Sequence, residues 1–329
     1  MRVIWSLLLV GALALLAFVG AAAGAQWVFG VAFPYLAAVV FLTGIAVRVI
    51  RWSRSPVPFR IPTTCGQQRA LPWIKSSYLE NPATGLGTTL RMLLEVLTFR
   101  SLFRNTRSEL RKGGRLIFSP DKWLWAAALA FHYSFLMILL RHYRLVAEPV
   151  PAVVTWLQGL DGFFQVGLPR VYLSDLLIVG ALGFLLWRRL YDLRLRYISL
   201  NADYFPLVLL LGIALSGILV RYFIRTDVVA VKELAMGLVT FHPAVPQGIS
   251  PLFYVHLFLV STLLTYFPFS KLVHMAGVFL SPTRNLANNN RVHRHINPWN
   301  PPIVGHTYAE WEEEFHDKLV AAGIPLDRE

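Results

Sequence analysis

The chain has 329 residues, 56% hydrophobic and only 15% charged, with a mean hydropathy of +0.53, which excludes an ordinary soluble domain and points to an integral membrane protein. Its net charge of +13 does not argue for nucleic acid, because the cations cluster beside apolar spans, as Lys and Arg do on the cytoplasmic side of membrane proteins. The single cysteine, Cys65, reads as a loop residue and excludes an internal disulfide, a CxxC zinc knuckle and a self-contained iron–sulfur site, each of which takes several thiolates.

A hydrocarbon core about 30 Å thick takes about 20 apolar residues in helix. Six runs qualify, at 4–24, 28–49, 123–145, 174–193, 204–224 and 251–274, so the expected fold class is all-α, a polytopic membrane helical bundle. The first run begins after Arg2 and ends in AAAGAQW, like a signal peptide. It is longer than the usual apolar region of about 7–15 residues, so residues 1–27 are expected to be a retained helix. Residues 28–275 form the main membrane domain and 276–329 a polar tail.

The loop 51–122 carries 13 Lys or Arg against four acids, Glu80, Glu95, Glu109 and Asp121, and is expected to be cytoplasmic. Within it TTLRMLLEVLTFRSLFRNTRSELRKG, residues 88–113, mixes apolar and basic residues at helical spacing. A helix on the inner membrane surface and a solvated basic loop both fit. Arg188, Arg189, Arg194 and Arg196 place the link after the fourth run on the same side, while 146–173 and 225–250 carry few cations. Both termini are then inside, the third and sixth spans are antiparallel, and a multi-pass location in a bacterial or archaeal cytoplasmic membrane is expected.

Of nine histidines, four fall in two of these spans: His132 and His142 in FHYSFLMILLRH, and His256 and His274 in the sixth run. An ionisable side chain in lipid faces a bundle interior and takes a partner. One imidazole alone could bond a neighbouring helix; two on each of two antiparallel spans suit axial ligation of haem iron by neutral imidazoles. Topology pairs His142 with His256 near the outer face and His132 with His274 near the inner face. With no CxxCH for covalent attachment, the cofactors would be two haem b groups.

Helix geometry resists this in part. His256 and His274 share one face at a rise of about 27 Å, whereas His132 and His142 lie about 80° apart at a rise of about 15 Å. Helix tilt and a kink near Pro268 are expected to absorb the difference. A zinc or copper site and a haem-free transporter relaying protons through histidines are the competing readings.

Histidines ten apart on one span and eighteen apart on a later one resemble the cytochrome b subunit family of respiratory nitrate reductase, the gamma or NarI-like family, over roughly residues 28–275. The extra first span, the basic loop and the tail with NNNRVHRHINPWNPP are similar to the DsrM family, haem b membrane subunits of the Dsr complexes of dissimilatory sulfur metabolism. The resemblance implies a dihaem subunit exchanging electrons between menaquinone or ubiquinone and a cytoplasmic iron–sulfur partner resembling DsrK. Through that partner it implies a link to the sulfur carrier DsrC, with a quinone-reactive module and the cytochrome c DsrJ in the same assembly. Such a subunit has no catalytic site of its own for sulfur chemistry and is not a complete enzyme alone.

A quinone head group needs hydrogen-bonding partners beside a haem at interface depth. Arg141 is the first candidate, with Tyr143, Arg144, Arg221 and Tyr254 behind it, although pairing with a haem propionate or snorkelling to phosphate is the favoured reading of Arg141 over quinone contact. In the tail, His293 and His295 lack thiolates for a metal site, and a polar docking surface with Trp299 and Trp311 as anchors is expected beside the helical AEWEEEFHDKLVAAG, residues 309–323.

Overall fold

The computed structural model describes residues 2–56, 66–104, 107–163, 169–224, 226–289, 291–292 and 304–327. Cys65, His293, His295, Arg294 and Trp299 lie outside the described residues. The chain begins with α1 (Arg2–Ala22), a π-helical turn Val28–Ala32 running into α2 (Phe33–Ser53), α3 (Gly85–Thr98) and α4 (Arg100–Phe103). A hairpin of β1 (Arg107–Arg111) and β2 (Arg115–Ser119) leads into α5 (Lys122–His142). Then follow α6 (Ala152–Phe163), α7 (Leu173–Tyr191), α8 (Leu193–Ile198), α9 (Asn201–Ile218), α10 (Val228–Val239), α11 (Pro251–Tyr266), α12 (His274–Gly277), α13 (Pro282–Asn285) and α14 (Tyr308–Ala321).

The protein is an all-α polytopic membrane bundle. Among the described residues five helical stretches are long and apolar enough to cross a membrane: Arg2–Ala22, Val28–Ser53, Lys122–Leu145, Asn201–Phe223 and Pro251–Phe269. The sixth expected span is the helix α7, packed in the same bundle against α5 and α9. It is set apart by charge, with Asp175 in its first turn and Arg188 and Arg189 in its last.

In lipid, helices gain little by burying apolar area against one another, so close packing between small residues matters more. Ala17, Ala21, Leu182 and Leu209 are fully buried where α9 packs on α1, α7 and α11 and α1 on α11. Gly212 on α9 lets Val10 of α1 approach: a Cβ there would sit 3.1 Å from Val10 Cγ1. Large side chains such as Leu8, Leu15 and Leu42 remain exposed, the faces a bilayer solvates.

The sixth run is broken rather than gently kinked. Pro268 lacks an N–H and clashes with the preceding turn, so α11 ends at Tyr266 and the chain passes through 3-10 turns at Phe267–Phe269 and Lys271–Val273 before α12. Ser270 is extended, and its Oγ caps the second turn by accepting from the Leu272 N–H at 3.1 Å. Gly44 of α2 makes room for the break, since a Cβ there would lie 2.6 Å from Pro268 Cβ. The straight-helix relation between His256 and His274 is therefore replaced by a turn that carries His274 on a separate short helix.

The basic-loop segment 88–113 is not one helix. Phe99 takes a left-handed conformation at φ 49° and ends α3, and Gly113 and Gly114, at φ 88° and 73°, turn the hairpin whose strands pair Arg107 with Ser119 and Arg111 with Arg115. The tail returns to this region: Asn288 is fully buried with its N–H donating to Pro82 O at 2.6 Å, and Arg284 meets Glu95 at 3.2 Å. The expected tail helix forms as α14, opened by a capping box between Thr307 and Glu310, with Trp311 packed near Tyr308 and Phe315.

Candidate cofactor sites between two helices

The four span histidines meet as two pairs. The rings of His142 and His256 are 6.3 Å apart between centroids and 18° from parallel; those of His132 and His274 are 6.1 Å apart and 84° from parallel. His142 and His132 come from α5, while His256 belongs to α11 and His274 to α12. Among the described residues α5 packs on α7, and α11 on α1, α2 and α9. Each histidine pair thus joins side chains from different helices.

Each imidazole is oriented in the same sense. His132 Nδ1 donates to Ala128 O at 2.8 Å, His142 Nδ1 to Ile138 O at 2.7 Å and His274 Nδ1 to Lys271 O at 2.9 Å. His256 Nδ1 lies 3.1 Å from both Ile213 O and Ser216 Oγ on α9. A carbonyl only accepts, so each Nδ1 holds the proton and each Nε2 is left as a lone pair. Gly217 opens the space for His256, because a Cβ at that position would lie 3.0 Å from its Cε1. A π-helical turn, Leu219–Phe223, follows directly, a distortion that recurs at functional sites.

This geometry fits a metal held between each pair. With each nitrogen about 2.0–2.1 Å from the ion and each ring centre about 1.1 Å further, centroids fall about 6.3 Å apart. Two imidazoles are too few for a tetrahedral zinc site, and among the described residues no three His, Cys, Asp or Glu gather at one point. Haem iron suits two ligands, since the porphyrin supplies the others.

Beside His142 lies a buried ionic cluster. Arg141 Nη2 donates to Asp175 Oδ1 at 2.6 Å, and Arg141 Nη1 is 2.8 Å from Asp161 Oδ2, with all three side chains at most 8% exposed. Asp161 also accepts from the Ser174 N–H at 3.1 Å and Oγ at 2.6 Å; Asp175 accepts from Tyr222 OH at 2.6 Å. The Tyr172 ring sits between two guanidinium groups, 4.2 Å from that of Arg141 and 4.7 Å from that of Arg221. Arg141 is thus neither snorkelling nor uncommitted, although its buried Nε has no hydrogen-bond partner among the described residues.

The other quinone candidates separate. Arg144 donates to Gln158 at 2.9 Å, Tyr143 is half exposed, and Tyr254 is buried against Gly30 and away from solvent, 1% exposed. Sequence reasoning missed Asp161, Asp175, Tyr172, Ser216, Gly217 and Tyr222. Only Asp175 carried a signal, a carboxylate inside an expected span, where charge is costly without a partner.

Two curated proteins are similar to this chain along most of their length. The Hdr-like menaquinol oxidoreductase cytochrome b-like subunit of Archaeoglobus fulgidus is 48% identical over 285 residues, 84% of this chain and 85% of that one. The subunit of the same description from Archaeoglobus profundus is 39% identical over 277 residues, 82% of each. The family model described as nitrate reductase gamma subunit matches residues 103–295, a range that contains all four paired histidines and the ionic cluster. The chain belongs to the nitrate reductase gamma subunit family.

Proposed function

We propose that the protein is a dihaem cytochrome b subunit that carries electrons between menaquinol and a cytoplasmic iron–sulfur partner as part of a larger oxidoreductase complex. The observation that carries this reading is the pairing of all four histidines with every Nε2 left as a lone pair. His142 and His256 would hold one haem b, and His132 and His274 the other. When bound, the two groups supply one-electron transfer along a line from one membrane face to the other.

The chain's own residues do the remaining work. The carbonyls of Ala128, Ile138, Ile213 and Lys271 fix each imidazole's tautomer and strengthen it as a ligand, as outer hydrogen bonds do at metal sites. The surrounding apolar helices exclude water. The unpartnered Nε of Arg141 suits a donor to a haem propionate; its Nη2 donates to Asp175 and its Nη1 lies 2.8 Å from Asp161 as an ion pair without a hydrogen bond, which speaks against Arg141 as the quinone contact.

Menaquinol, rather than ubiquinol, is favoured because both relatives are subunits of menaquinol oxidoreductases. Placement in the DsrM branch, with a DsrK-like partner and the other Dsr subunits, rests on the basic loop and the polar tail. In that reading both termini and the tail face the cytoplasm, and α14 with Trp311 lies toward the soluble partner.

The test is the dithionite-reduced spectrum and haem content of the full chain purified in detergent. Two haems per chain with a b-type α band are expected. A chain that folds in the membrane and carries no b-type haem overturns the proposal.

A further inference from the structure

Four charges meet beside the His142–His256 pair, and each has a partner. Arg141 is held by Asp161 and Asp175, Arg221 lies over the rings of Tyr172 and Tyr222, and Tyr222 donates to Asp175. The cluster ties α5, α6, α7 and the end of α9 together. Arg141 adjoins His142 in sequence, and the Tyr172 ring links its guanidinium to that of Arg221.

A purely structural need would not call for charge here. Burying ion pairs costs several kcal/mol per ion before their attraction offsets it, and apolar residues of similar size often serve stability as well or better. Ionisable groups kept inside a membrane domain point to function. The second histidine pair has a different setting: His132 is flanked by the rings of Phe99 and Phe131, each with its centroid 4.8 Å away.

We propose that Arg141, Arg221, Asp161 and Asp175 form a balanced counter-charge set that fixes the reduction potential of the cofactor on His142 and His256 separately from that on His132 and His274. The inference rests on the dihaem reading. Two positive and two negative side chains compensate one another, so loss of one acid would leave an unbalanced cation in the cluster beside His142. Reduction adds an electron, which a nearby cation favours and a nearby anion opposes. The carboxylates thereby hold the potential down against the pull of the two arginines; Asp161, Asp175 and Arg221 act through space, and Arg141 both through space and as the proposed propionate donor.

The test is an optical redox titration of the full chain, with the two components assigned by His142→Ala and His132→Ala. Asp175→Asn keeps the shape and removes one negative charge. The His142–His256 component is expected to rise by a factor of ten or more in its reduction equilibrium, about 59 mV for one electron, while the other component stays in place. Asp175→Glu should restore the wild-type value. Arg221→Gln, at the exposed edge of the cluster, should move the same component in the opposite direction, and it decides the matter if Asp175→Asn fails to fold. Unmoved potentials, or equal shifts of both components, overturn the inference and leave the dihaem reading standing. A wild-type chain without b-type bands overturns both.

Discussion

His142 and His256 lie with ring centroids 6.3 Å apart and planes 18° from parallel, although one stands on α5 and the other on α11. That centroid spacing matches two imidazoles on one metal ion. The first expectation follows from it. His142→Ala and His256→Ala should each remove the same spectral component, and His132→Ala and His274→Ala the other. Pyridine haemochrome content should fall from two per chain to one in every case. Loss of the His132 component on replacing His256 would overturn the pairing.

Gly217 offers a finer probe of the same site. Alanine in place of a helical glycine adds up to about 1 kcal/mol of helix propensity, yet its Cβ would lie 3.0 Å from His256 Cε1 and 3.3 Å from Nδ1. The imidazole must then give way and lose alignment with Ile213 O and Ser216 Oγ. Gly217→Val should weaken retention of that haem by about 10–100-fold, the usual cost of disturbing a group that orients a ligand. Haem retention during dilution in detergent measures this. Full retention by Gly217→Val would show that the ring does not depend on the space the glycine leaves.

Much of this architecture was legible in the sequence because membrane insertion and proline have strong local rules. Five of the six apolar runs are helices long and apolar enough to span, and the break fell at Pro268 as its missing N–H demands. The expected pairing of the histidines came from topology, with their helical spacing partly against it; in the structure the His142 ring lies beside that of His256 and the His132 ring beside that of His274. What stayed hidden depends on tertiary neighbours. Nothing in the order of residues joins Arg141 to Asp161 and Asp175, or sets Gly217 under His256. The stretch 88–113 fits a surface helix or a basic loop because its apolar and basic residues keep a helical period, yet 107–119 forms a hairpin, and the glycine pair at its turn is the sign that period hides.

The orientation of the bundle has a direct test in the chain's single cysteine, Cys65, which lies in the basic loop. A cytoplasmic loop makes Cys65 reactive to a membrane-impermeant thiol reagent in inside-out vesicles and protected in right-side-out cells. Labelling from the outside of intact cells would invert the topology, and with it which histidine pair is outer.

Gly44 tests the other pair from a distance. Its missing side chain lets α2 lie against the turn at Pro268, where a Cβ would come 2.6 Å from Pro268 Cβ and 2.7 Å from Cγ. The proline ring is rigid and cannot swing aside, so a larger residue must push the turn itself, at a cost of about 1–3 kcal/mol for overpacking. His274 lies beyond that turn on α12, and its ring is held by Lys271 O within the displaced segment. His256, on the α-helix before the break, is held by α9 instead. Gly44→Leu should therefore lower occupancy of the haem on His132 and His274 while sparing the haem on His142 and His256, the reverse of Gly217→Val. Comparing the two reduced spectra decides it. Equal loss of both haems in Gly44→Leu would mean that the break at Pro268 transmits strain along α11 rather than isolating the two ends.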